Sequence, residues 1–144
     1  MATISSIEAV TIIHCDDEAL LTEGLARAFK AHFPTANLIS YNDPQLCLDK
    51  TDYSKSINVI ISDYQMPGMD GVSLVRAMIK KVADAGKTKP ALLVLFSAYD
   101  QEVKERHADM TFDLMISKPT KSKEIIDQIK STLNMYGKYT GEKK

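Results

Sequence analysis

Short apolar runs alternate along this chain with longer stretches in which apolar residues recur every three or four positions. AVTIIH (9–14), ANLIS (36–40), INVIIS (57–62), ALLVLF (91–96) and DLMIS (113–117) read as strands. The third and fourth are nearly unbroken in hydrophobicity, as expected of parallel strands covered on both faces. Leu21, Leu25, Ala28 and Phe29 fall on one helix face, Val72, Val75, Ile79 and Val82 on another, and Ile126, Ile129 and Leu133 on a third. The stretch from Asp43 to about Tyr53 reads as a weaker helix, and that from Tyr99 to about Ala108 as a short polar one. Five strands, each followed by a helix, predict an α/β doubly wound fold: parallel strands need crossover connections, and the crossovers place helices on both faces of the sheet. The last residues, GKYTGEKK (137–144), read as a polar tail.

Composition narrows the function more than the fold. The 144 residues suit one domain, and 44% apolar with 26% charged residues is ordinary for a globular chain. With 18 basic against 19 acidic side chains, the basic excess that would announce nucleic acid as a direct partner is missing. No apolar run approaches the roughly 20 residues of a membrane span, and the N-terminus lacks the pattern of a signal peptide. The expectation is a cytoplasmic protein with no direct nucleic-acid or membrane partner. Cys15 and Cys47 stand in no CxxC or Cys/His set and are expected to be packed thiols.

Candidate chemistry gathers at the strand ends. In doubly wound sheets the ligand crevice lies outside the carboxyl ends of the strands. There the first strand delivers Asp16, Asp17 and Glu18, the third Asp63, the fourth Ser97, and the fifth Lys118 followed by Pro119. Each has a plain structural role open to it: helix cap for Asp16, Asp17 or Ser97, turn residue for Asp63, solvated lysine for Lys118. Those roles do not account for four segments converging on one rim. Carboxylates crowded together repel by about 4 kcal/mol per pair at roughly 4 Å and an effective dielectric near 20, so a cation is expected among them. Hard oxygen ligands suit Mg2+, a lysine opposite suits an anion, and a hydroxyl can hydrogen-bond one of its oxygens. The set fits phosphoryl transfer, with a carboxylate as nucleophile forming an aspartyl phosphate.

The motifs DD (16–17), DYQMPGMDG (63–71), SA (97–98) and KP (118–119), in this order, resemble the receiver domain of two-component response regulators over about residues 8–135. The resemblance implies a flavodoxin-like sheet of strand order 2-1-3-4-5 in a single receiver domain. It makes Asp63 the phosphoacceptor, with Asp17, Asp63 and the backbone carbonyl of Gln65 binding Mg2+ and Asp16 acting on the metal through water. Ser97 would hydrogen-bond the phosphoryl group, Lys118 would pair with its charge, and Pro119 would follow a cis peptide bond. The implied partners are a histidine kinase or phosphotransfer protein and a downstream protein target. An enzyme of the aspartyl-phosphate phosphatase type is disfavoured by Gln65, which stands where that class has a second acid. A receiver-like adaptor that is never phosphorylated would be expected to lack the acids or the lysine.

Three departures stand out. Met115 occupies a position that is commonly aromatic, so the usual coupling to the surface of the fourth helix, fifth strand and fifth helix is expected to differ. The loop 98–100, with Tyr99 as its aromatic element, is expected to carry much of that change, or else Tyr99 gates the acyl phosphate. Gln65 and Tyr99 also hold the two variable positions that influence its hydrolysis. No output domain follows the fifth helix, which suggests a stand-alone regulator or an excised piece. Met66 and Met69 are expected to pack the Pro67-Gly68 loop. None of His14, His32 and His107 is flagged as a phosphate carrier, and His14 is expected to be a core or rim residue.

Overall fold

A computed structural model describes residues 10–32, 36–90, 92–97, 100–118 and 121–135. Its elements run β1 (Thr11–Cys15), α1 (Ala19–His32), β2 (Asn37–Tyr41), α2 (Pro44–Lys50), β3 (Val59–Asp63), α3 (Gly71–Asp84), β4 (Leu92–Ser97), α4 (Asp100–Arg106), β5 (Leu114–Ser117) and α5 (Ser122–Met135). All strand pairs are parallel and the order is β2-β1-β3-β4-β5. Fold class and strand order are therefore as expected. The reversal between β1 and β3 opens the crevice at the carboxyl ends of those two strands.

β3 and β4 are buried at every residue, which accounts for their unbroken hydrophobicity. Ile12, Val59, Ile61, Val94 and Phe96 pack toward Leu25 and Phe29 of α1 and Ile125, Ile126 and Ile129 of α5. Ile13, Ile60 and Leu93 face the other way, onto Cys47 of α2 and Leu74, Val75 and Met78 of α3. Each such side chain, fully buried, stabilises the fold by about 1.5–3 kcal/mol relative to exposure. Both cysteines are free and buried, as expected of packed thiols. Met66 is buried and Met69 packs against the same cluster.

Several strands run one residue further than their apolar patterns do. β3 continues through Asp63 opposite Phe96, and β4 through Ser97 opposite Ser117. Backbone pairing, not side-chain polarity, decides where a parallel ladder stops, and here it carries two polar residues into rigid strand. The side chain of Leu133, together with Tyr99, Pro119 and the tail 137–144, lies outside the described residues.

The turn after β3 is built by capping and by close approach. The Asp70 side chain accepts the Ser73 N–H at 2.8 Å and so caps α3. Gly68 takes φ +86°, where a side chain would be strained. Gly71 opens α3 against the strand end. Its N–H donates to the Tyr64 carbonyl at 2.7 Å, and a Cβ placed there would overlap the Asp63 carbonyl oxygen and meet Ser62 Oγ at 3.0 Å. Gly24, inside α1, has room: its nearest neighbour would be Ser122 Oγ at 3.5 Å. Helix propensity alone favours alanine at both sites by about 1 kcal/mol. Urea denaturation should then show Gly24→Ala stabilised by about 0.5–1 kcal/mol and Gly71→Ala destabilised by about 1–3 kcal/mol, the usual cost of overpacking. A stabilised Gly71→Ala would contradict the close packing of α3 on Asp63.

Candidate functional site: a lysine among carboxylates

Each side chain of the rim is held by a specific local device. The Asp16 N–H donates to the Tyr41 carbonyl at 3.0 Å, extending the β1–β2 ladder by one bond. Asn42 Nδ2 donates to the Asp16 carbonyl at 2.8 Å and to Thr22 Oγ1 at 3.0 Å, clamping the β1–α1 connection. Asp16 Oδ1 accepts the Glu18 N–H at 2.9 Å. Its carboxyl group is thus turned inward, fully buried, rather than serving as a cap on α1.

Lys118, just past the end of β5, closes the arrangement. Its Nζ lies 3.1 Å from Asp16 Oδ2, 3.1 Å from Asp63 Oδ1 and 2.9 Å from Glu18 Oε1. The Lys118 N–H donates to the Ser97 carbonyl at 3.3 Å, so the lysine hangs from the end of β4. Asp16, Asp17 and Asp63 each offer a carboxylate oxygen, all within 4.8 Å of one another. Asp63 is 5% exposed and Asp17 is exposed. An open cleft of about 270 Å³ is lined by Asp17, Glu18, Asp63, Tyr64, Gln65, Ser97 and Lys118.

Three carboxylates face one ammonium, with Asp17 beside them, and the protonation equilibria respond. Burial, then the neighbouring Asp16 charge, push the Asp63 carboxyl up to about 6 despite its bond to Lys118. Burial also raises Asp16, with Lys118 only partly offsetting it. For Lys118 burial works downward, but Glu18, Asp16 and Asp63 outweigh it and hold the ammonium above its ordinary range. Asp16 Oδ2, apart from its ion pair with Lys118, has no hydrogen-bond partner among the described residues.

Most of the sequence-predicted residues therefore meet: Asp16, Asp17, Asp63, Gln65, Ser97 and Lys118 share one rim, and Ser97 is buried at the end of β4. Met115 lies elsewhere, half-buried against a cluster of Tyr64, Val72, Leu95 and Val103. Tyr99 and Pro119 are outside the described residues. His14 is a core residue: fully buried, edge-on to Phe96 at 5.8 Å, with neither ring nitrogen hydrogen-bonded among the described residues. Burial and the Lys118 charge push its pKa down to about 3, so the ring is neutral at ordinary pH.

Sequence placed Glu18 at the rim and Gly71 at the end of the loop motif without giving either a role, and it did not name Asn42. Glu18 follows the acidic pair directly, and that adjacency was a usable signal. Nothing in the spacing links Asn42 to Asp16, because their contact forms only when β2 pairs with β1.

A family model described as the response regulator receiver domain matches residues 12–130. Among solved structures, the chemotaxis response regulator CheY4 of Vibrio cholerae is similar at 18% identity and a TM-score of 0.69, covering 86% of this chain and 98% of that one. The receiver domain of the Francisella response regulator 1452 is similar at 20% identity and 0.66, over 89% and 99%. The receiver domain of the hybrid histidine kinase CckA is similar at 22% and 0.63, over 85% and 98%. At these identities the structures speak for the fold. No curated protein sequence matches the chain significantly. With the family model spanning nearly all of the sheet and the acid-lysine rim standing at its carboxyl edge, the chain belongs to the response regulator receiver domains of two-component systems.

Proposed function

We propose that this receiver domain accepts a phosphoryl group on Asp63 from a phosphohistidine of a histidine kinase or phosphotransfer protein, and that the change alters its affinity for a downstream protein in the cytoplasm. The observation that carries this reading is the geometry of Asp63: a rigid strand end, one oxygen 3.1 Å from an ammonium, facing an open cleft. In the transfer, an Asp63 oxygen forms a bond to phosphorus while the donor P–N bond breaks, and the released imidazole takes up a proton. Lys118 turns from its carboxylate partners toward the incoming anion. Ser97, lining the same cleft, is placed to offer its hydroxyl to a phosphoryl oxygen.

The residues present also fit a magnesium ion. Asp16, Asp17 and Asp63 converge, Asp16 Oδ2 lacks a hydrogen bond, and one lysine cannot neutralise the set. Hard carboxylate oxygens with room for water match the preference of Mg2+. Asp17 and Asp63, with the Gln65 carbonyl, would hold it, and Asp16 would orient its water. When bound, the ion neutralises charge on the phosphoryl oxygens and on the carboxylates around them. Phosphorylation by a small acyl phosphate with Mg2+ should add one base-labile phosphate by intact mass, absent in Asp63→Asn. Equal yield in both proteins would move the acceptor elsewhere.

Carboxylate crowding has consequences for stability as well. The folded-state pKa of Asp63, about 6, lies above the 3.8 of an exposed aspartate. Between these values the folded protein binds more protons than the unfolded chain, so this contribution to stability falls as pH rises through about 4 to 6. Without Mg2+, Asp63→Asn should exceed the wild type in stability at pH 7 by about 1–3 kcal/mol, at 1.36 kcal/mol per pKa unit. That advantage should shrink below pH 5 in urea titrations, and no gain at pH 7 would contradict it. Mg2+ should raise the wild-type melting temperature by ligand linkage. Asp17→Asn should lose most of that rise, and an undiminished response would remove Asp17 from the ligand set.

A further inference from the structure

Among the described residues, helix α4 is the most lightly held of the five helices. Of its side chains at 101–106 only Val103 is buried, with Glu102 partly so and the other four exposed. Seven residues cannot sustain a helix in water on propensity alone, so its docking rests on a few tertiary contacts. Val103 packs in a small cluster with Tyr64, Val72 and Leu95. The Tyr64 hydroxyl then lies 3.2 Å from Glu102 Oε2, to which it donates, and 3.4 Å from His107 Nε2 just past the helix end. The two rings meet edge-on, 5.8 Å apart.

Tyr64 is also the residue between Asp63 and Gln65. Its N–H donates to the Phe96 carbonyl at 2.8 Å, and its carbonyl accepts the Gly71 N–H at 2.7 Å. The main chain of this one residue is fixed to the acceptor loop while its phenol, 2% exposed as a residue, holds α4. Met115 of β5 packs against the same cluster and offers no hydroxyl there.

We propose that Tyr64 is a positioning residue that clasps α4 to the acceptor loop through its phenol, linking the state of the Asp63 rim to the docking of α4. A shift of the Tyr64 main chain by a few tenths of an ångström stretches a 3.2 Å bond past useful length. By linkage, whatever loosens α4 acts back on the loop with the same free energy. The clasp itself stands whether or not Asp63 is phosphorylated; only the direction of its signal rests on that reading.

Hydrogen exchange on the full chain without Mg2+ tests the clasp directly. The amides to follow are those of His107, bonded to the Val103 carbonyl at 2.9 Å, and Met110, bonded to the His107 carbonyl at 3.0 Å. Tyr64→Phe keeps the ring and removes the donor. It should speed exchange at both amides about tenfold, as befits a lost hydrogen bond to a partly solvated carboxylate, while β1 and β3 amides keep wild-type rates. Glu102→Ala, which removes the acceptor and keeps helix propensity, should act likewise, and the double variant should be no faster than the faster single one. Unchanged rates in Tyr64→Phe, acceleration that extends to β1 and β3, or additive effects would each overturn the clasp. A second arm adds Mg2+ and fluoroberyllate as a phosphoryl mimic. The wild type should show faster α4 exchange and Tyr64→Phe a smaller relative change, whereas equal responses in both would overturn the link to Asp63. Failure of Asp63 to take phosphate shows separately, in the mass measurement on Asp63→Asn, and leaves the ligand-free result to decide the clasp.

Discussion

The Lys118 ammonium, sitting among Asp16, Glu18 and Asp63, is the interaction on which the arrangement of the rim depends. Taking charges out of water costs several kcal/mol per ion, and the cost is recovered only where opposite charge and hydrogen bonds are close. Asp16 is fully buried and Asp63 nearly so. Without the lysine their carboxyls would have to protonate, move outward or find another cation. The lysine is also too little charge for the group it serves. That deficit leaves the Asp63 carboxyl well above the range of an ordinary aspartate.

Such a cluster can be tolerated because the sheet beneath it is rigid and dry. β1, β3 and β4 are buried on both faces between the α1/α5 layer and the α2/α3 layer. Their carboxyl ends are therefore fixed relative to one another by packing that does not involve the charges. The price of holding like charges together is met by core burial elsewhere. Asn42 and Gly71 belong to this support: one clamps the Asp16 main chain, the other lets α3 begin against the Asp63 carbonyl.

The same sheet edge meets its least anchored element at α4. One side of the loop after β3 belongs to the charged rim, and the other presents Tyr64 to Glu102 and His107. Among the described residues α4 is held by the buried Val103 and by polar contact at Glu102, and an element so held changes its docking for little free energy, whereas α1, α3 and α5 are held by extended apolar faces. Small displacements at the rim thus have one direction in which they can be expressed cheaply.

Periodicity by itself determined the number, order and kind of the elements, because a strand buried on both faces and an amphipathic helix leave different marks on a linear chain. The acids, hydroxyl and lysine of the rim were also legible, since each ends a strand and parallel strands bring their ends to one edge. What sequence could not supply were relations between segments. It could not show that Glu18 would share Lys118, that Asn42 would reach back to Asp16, or that the inward turn of Asp16 would bury it completely. Nor could it show that the ring next to the candidate acceptor, rather than Met115, carries the hydroxyl that touches α4. Those facts depend on strand register and on distances of about 3 Å between residues as far as a hundred positions apart. Hydrogen bonds weaken over fractions of an ångström, and the contact ion pairs here need their groups about 3 Å apart, so only the assembled tertiary structure decides them.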